Sequence, residues 1–167
     1  MNRELEQYIE RTVIPRYEGF DRAHGTEHVR TVIARSLALA RHYDVSIEMV
    51  YAVAAYHDTG LAFGRERHHI DAGRILFEDR ELRRWFSEEQ LRVMREAVED
   101  HRASSDHAPR SIYGRIVAEA DRCIEPLTIL RRTIQYGLAH YPQLDRQGHY
   151  DLSLIHISEP TRQEAIS

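Results

Sequence analysis

The run VYAVAAYHDTG, residues 50–60, places Val50, Val53 or Ala54, and His57 at i, i+3/i+4 and i+7, the spacing of one buried helical face. The apolar stripe ends on a histidine, and Asp58 follows at once. Upstream, Ser46 is an N-cap for this helix, and downstream Gly60 stands where a helix terminus takes positive φ. A histidine and a carboxylate at the inner end of an apolar helix are costly to bury alone, so the neighbouring segments must supply their partners.

Those segments are helical as well. Leu5, Tyr8, Ile9 and Val13 mark a first helix that ends near Pro15. After the loop EGFDRAHG, Thr26 is a plausible N-cap for a second, with Val29, Val32, Ile33, Leu37 and Ala40. Beyond the loop LAFGRER a fourth runs through Ile70, Gly73 and Leu76. Ser87 with Gln90 forms a capping-box signature ahead of Leu91, Met94 and Val98. The polar loop RASSDHAPR leads to SIYGRIVAEADRCIE, and Pro126 stands at the first turn of a further helix. No alternating strand pattern of useful length and no internal repeat interrupts the series, so the fold class is all-α.

Composition narrows the function. The chain has 167 residues, enough for one domain with one core. Residues 1–151 read as that single helical domain. Residues 152–167 read as a non-native or disordered tail, because SLIHISEPTRQEAIS has little amphipathic logic and looks like the translated read-through of a sequencing adapter. No apolar stretch approaches a membrane span, and the charged N-terminus lacks a signal-peptide core, so a cytoplasmic location is the expectation. A net charge of −4 argues against a general nucleic-acid surface. The lone cysteine, Cys123, excludes an internal disulfide and reads as a small buried apolar residue. All 23 basic residues are arginine, which excludes Schiff-base chemistry and a P-loop lysine; any phosphate clamp must use Arg, His or backbone N–H.

Projecting every helix onto its apolar face repeats the pattern of residues 50–60. His28 lies one turn before Val32; His69 precedes Ala72, Gly73 and Leu76; His101 ends the row Leu91, Met94, Val98. Val117, Ala120, Asp121 and Ile124 put a second carboxylate on an inner face. One such residue is ordinarily a hydrogen-bonded core side chain. Five helices each carrying a His or Asp on the inner stripe point instead to a cation held between them, and imidazole with carboxylate suits Mn, Fe, Co, Ni or Zn better than Ca.

The histidine in AHGTEHV, the doublet in YHDTG and the distant aspartate in AEADR resemble the HD-domain superfamily of metal-dependent phosphohydrolases over roughly Asp21 to Pro142. The resemblance implies an HD-type helical bundle with metal ligands His28, His57, Asp58 and Asp121, His28 being preferred to His24 for its place ahead of Val32 and Ile33. It further implies a divalent metal cofactor (Mn, Fe, Co, Ni, Zn or Mg), one ion or two. His69 and His101 correspond to positions that bind a second metal or a substrate phosphate, and with Asp58 they are the catalytic candidates. His24 falls at the mouth of the site, and His68, His42 and His107 at the surface. Arg65, Arg67 and Arg122 are candidate phosphate contacts. Leu61 stands where some two-metal members carry lysine, which argues against a cyclic-dinucleotide phosphodiesterase. The expected partner is a small phosphorylated substrate such as a nucleotide, and the aromatic-rich stretch 127–150 is a candidate homodimer contact. A di-iron oxygenase and a non-catalytic nucleotide sensor are the competing readings.

Overall fold

The computed structural model describes residues 1–21, 24–102, 107–122, 134, 138 and 141–149, and it is all-α, with no strand among them. The chain divides into two units, Met1–Arg122 and Cys123–Ser167. No described helix is long and apolar enough to cross a membrane. The expected boundary at residue 152, the tail, Pro126 and Cys123 all lie outside the described residues.

In the first unit, α1 (Arg3–Thr12) is capped by Asn2, whose side chain accepts from the Glu4 and Leu5 N–H groups. Its inner face, Leu5 and Ile9, is buried. Pro15 does not simply end the chain's helical path: it opens a 3₁₀ segment, Ile14–Gly19, that buries Ile14 and Tyr17. A missing N–H costs nothing in a first turn, so the proline turns the chain without an unpaired donor. α2 (Thr26–Ala40) then starts one residue earlier than its sequence cap implies. Gly25 occupies the cap position, and Thr26 is the first helical residue.

α3 (Ile47–Tyr56) is the axis of the unit. Ser46 caps it by accepting from the Met49 N–H, and every residue from Met49 to Tyr56 is buried. A helix apolar on all sides has to be surrounded, and α2, α5 (Glu88–Glu99) and α6 (Ile112–Asp121) pack around it. α5 begins with both bonds of the Ser87–Gln90 capping box. α6 begins at Ser111, which accepts from the Gly114 N–H. Each fully buried Val, Leu or Met on these faces contributes roughly 1.5–3 kcal/mol by leaving water. Polar ties set the rest. The Tyr8 and Tyr56 hydroxyls both donate to Asp79 Oδ2 at 2.6 Å, joining α1 and α3 to the end of α4 (His68–Glu78).

Gly60 differs from its expected role. Its φ is not positive, a conformation found among the described glycines only at Gly64, φ 110°. After α3 the chain continues as a 3₁₀ turn, Thr59–Phe63, and α4 lies directly on it. A Cβ on Gly60 would stand 2.0 Å from the His68 carbonyl oxygen and 2.6 Å from the Ala72 nitrogen. The glycine is there to let α4 approach, and that approach delivers the next helix to the site.

In the second unit, the Leu144 N–H donates to the Tyr141 carbonyl, and residues 146–149 form a helical turn. Asp145 caps that turn by accepting from the Gly148 N–H.

Candidate metal centre

Asp58 is the hub. It sits just past the C-terminus of α3, buried, with its two carboxylate oxygens facing different groups of histidines. Oδ2 lies 3.3 Å from His57 Nε2 and 3.5 Å from His28 Nε2. Oδ1 lies 3.4 Å from His101 Nε2 and 3.6 Å from His68 Nε2. Asp121, the last residue of α6, completes the first group: its Oδ1 is 3.1 Å from His28 Nε2 and 3.8 Å from His57 Nε2. The two histidine Nε2 atoms of that group are 3.2 Å apart.

Three of the histidines are oriented by the same local device. His57 Nδ1 donates to the Ala54 carbonyl at 2.7 Å, His101 Nδ1 to Val98 at 2.6 Å, and His68 Nδ1 to Arg65 at 2.7 Å. Each acceptor is the carbonyl three residues back, for His57 and His101 one in the last turn of a helix. A proton fixed on Nδ1 leaves the lone pair on Nε2, and in all three cases Nε2 is the atom facing Asp58.

This donor set fits a divalent transition ion. Ligand atoms bound at ~2.0–2.2 Å stand roughly 3.0–3.4 Å from one another in tetrahedral or octahedral arrangement, close to most of the separations here. His28, His57 and Asp58 form one group able to hold an ion, and Asp58, His68 and His101 a second. Asp121 Oδ1 adds a fourth donor to the first. Asp58 offers one oxygen to each group.

The charges agree with this. Burial pushes the His28 imidazole down, but the Asp121 and Asp58 carboxylates outweigh it and lift His28 to about 9. Burial would raise Asp121, yet the bond from His28 and the charges of His57 and His101 hold it at about 2. Asp58 is likewise held well below the usual carboxylate range: burial opposes this, and His57, His101 and His28 prevail. His101 is raised, again against burial, by Asp58 and Asp121. Both carboxylates thus stay ionised, Asp58 buried and Asp121 partly exposed, and a cation is their natural counterpart.

The structure brings together His28, His57, Asp58, Asp121 and His101 among the residues expected from sequence. His69 stands elsewhere than its neighbour His68. It does not face Asp58; His68 does, with only 14% of its side chain exposed, although it was expected at the surface. His69 does share the stripe of Ala72, Gly73 and Leu76, which is buried. Its Nδ1 is buried without a hydrogen-bond partner, and burial with nearby His68 and Arg102 depresses the imidazole to about 4. The register is decided by Gly60, which seats the His68 carbonyl against the 3₁₀ turn.

At the rim, the His24 ring is 5.9 Å from that of His28, and His24 Nδ1 is 2.9 Å from Asp21 Oδ1. Arg65 donates to Asp21 Oδ2 at 3.1 Å and lies 3.2 Å from His24 Nδ1. Arg67 stands exposed at the start of α4, and Arg122 pairs with Glu119 at 3.3 Å. His107 is exposed, as expected.

Sequence reasoning missed three supporting side chains. Tyr17 is buried against the His57 ring and its hydroxyl meets the Asp58 backbone. Arg102 donates to the Glu66 carbonyl at 2.9 Å, tying the loop before His68 to the end of α5. Asp100, beside His101, is buried and grips Arg110 through both the side chain and the backbone N–H. Only the adjacency of Asp100 to His101 was a usable signal; a tyrosine or arginine of this kind has no spacing that distinguishes it.

No curated protein matches the chain. Among solved structures it is similar in fold to a predicted HD superfamily hydrolase from an uncultured Thermotogales bacterium, with a TM-score of 0.62 and 19% identity, over 98% of this chain and 91% of that one. The HD-domain family model matches residues 25–125, a span that contains every ligand candidate of the paired centre, and the chain belongs to the HD-domain family.

Proposed function

We propose that the protein is a divalent-metal-dependent phosphohydrolase acting on a nucleotide or another small phosphate ester or anhydride. The observation that carries this reading is Asp58, one carboxylate placed between two sets of Nε2 donors. His28, His57, Asp58 and Asp121 would hold one ion, and Asp58, His68 and His101 a second. A divalent ion supplies Lewis acidity toward a phosphoryl oxygen and makes water acidic near neutral pH.

The remaining tasks belong to the chain. Asp58 would orient the attacking water as well as bind metal, and His101 Nε2, 3.4 Å from Asp58 Oδ1, would serve as a neutral ligand on that side. The role expected of His69 passes to His68. Arg65 and His24, held together at the rim beside His28, bind the outer phosphate oxygens; with no lysine in the chain, a planar arginine fork is the available clamp. The loop 61–67, braced by Arg102 on one side and Asp21 on the other, covers the bound substrate.

The bridged pair of donor groups also suits a di-iron oxygenase, which is the second reading. Elemental analysis of purified wild type and Asp58→Ala, with phosphate release measured over a nucleotide panel in Mn²⁺, separates the two. Phosphate or pyrophosphate released by wild type alone supports the hydrolase. Bound iron with oxygen uptake and no phosphorus product supports the oxygenase and sinks the first reading. Bound nucleotide without turnover would indicate a sensor.

A further inference from the structure

We propose that Tyr17 is a positioning residue for the metal centre: its hydroxyl fixes the backbone of Asp58, and so the direction in which the bridging carboxylate points. This rests on reading the centre as a metal site. At the end of α3 an unusual substitution of partners occurs. In a continuing helix the Asp58 N–H would donate to the Ala54 carbonyl. That carbonyl instead accepts from His57 Nδ1 at 2.7 Å, because orienting the imidazole requires it. The Asp58 N–H, buried, would be orphaned, as would the Ala55 carbonyl.

Tyr17 meets both. Its hydroxyl donates to the Ala55 carbonyl at 2.9 Å and accepts from the Asp58 N–H at 3.2 Å. The ring is wholly buried, packs edge-on against Phe20 with centroids 5.4 Å apart, and lies 6.3 Å from the His57 ring. One oxygen therefore replaces the helical acceptor that His57 has taken. With its N–H held, Asp58 keeps φ −106° and ψ 4°, outside the α-helical region, and turns its carboxylate between the two histidine groups. The two adjacent ligands can point into one site from consecutive residues because Tyr17 pays the hydrogen-bond cost of the arrangement.

Tyr17→Phe tests this, with Tyr56→Phe as the control. Tyr56 is also fully buried, on α3 itself, but its hydroxyl serves Asp79. Two readouts are independent of turnover. In metal-free protein, Tyr17→Phe speeds hydrogen exchange of the Asp58 amide at least ~10-fold, because an acceptor-less amide is the group left to open; Tyr56→Phe leaves it unchanged. In Co²⁺-loaded protein, Tyr17→Phe weakens binding roughly 10–100-fold, the usual cost of losing a group that orients a ligand, and alters the visible absorption, while Tyr56→Phe retains both.

Wild-type exchange, affinity and spectrum in Tyr17→Phe, or equal losses in the two variants, overturn the proposal. Wild type that binds no Co²⁺ overturns the metal reading, and the amide-exchange comparison then still decides the role of Tyr17. Should Tyr17→Phe fail to fold, 3-fluorotyrosine at position 17 preserves the ring and weakens the hydroxyl as an acceptor. Faster Asp58 exchange supports the proposal there, and unchanged exchange overturns it.

Discussion

Replacing Gly60 by alanine is expected to remove one half of the metal centre and spare the other. The added Cβ would lie 2.0 Å from the His68 carbonyl oxygen, 2.9 Å from its carbon and 2.6 Å from the Ala72 nitrogen, all backbone atoms that no rotamer change can move. Contacts below 3.0 Å are essentially never made by a Cβ, so the start of α4 must recede by at least 1.0 Å, the difference between 3.0 and 2.0 Å. His68 rides on that turn, and its Nε2 now stands 3.6 Å from Asp58 Oδ1. Ligands tolerate only about 0.5 Å of misplacement. The second donor group is therefore lost, while His28, His57 and Asp121, on other elements, keep the first. Overpacking should destabilise the fold by about 1–3 kcal/mol, and a misplacement near 1 Å should lower turnover roughly 100-fold. Metal titration by calorimetry, with denaturant unfolding of the same samples, checks both numbers. Gly19→Ala, where a Cβ meets nothing within 4 Å, is the control and should be neutral. Two ions bound by Gly60→Ala with wild-type affinity would refute the argument.

Further outcomes follow from the same geometry. His68→Ala should lose the second ion and His69→Ala should keep it; equal losses in metal stoichiometry would show that the register of α4 is wrong. His28 is raised to about 9 from an unfolded value of 6.5, so its pairing stabilises the metal-free fold fully below pH 6.5 and loses that effect as pH rises through 9. The loss is about 3 kcal/mol, and thermal unfolding of metal-free protein that stays flat from pH 6.5 to 9 would contradict it. Arg110→Ala strips the arginine fork from buried Asp100 and should cost about 2 kcal/mol in denaturant unfolding. Arg65→Ala breaks only an exposed pair and should change stability by less than ~1 kcal/mol, while raising KM for a phosphorylated substrate; an unchanged KM would remove Arg65 from the substrate site.

The bundle was legible because each helix carried its own signals. Ser46, the Ser87–Gln90 box and the apolar stripes of α2, α3, α5 and α6 act within one or two turns, where sequence spacing is spatial spacing. The metal candidates followed because a histidine or aspartate on a buried face has to be reconciled with its neighbours. What escaped was whatever depended on two elements meeting. The choice between His68 and His69 rests on how closely α4 settles on the turn at Gly60, a contact that periodicity does not express. Gly60 was expected to be needed for its φ and is needed for its missing Cβ. Tyr17 carries no signal of its own in the sequence, because its hydroxyl acts on a residue 41 positions away.

Anomalous scattering from a crystal loaded with Mn²⁺ tests the central claim most directly. The account expects one peak ~2.0–2.3 Å from His28 Nε2, His57 Nε2, Asp58 Oδ2 and Asp121 Oδ1, and a second at like distances from Asp58 Oδ1, His68 Nε2 and His101 Nε2. A peak ligated by His69, a single ion that leaves Asp58 Oδ1 unused, or no peak among these residues would contradict it.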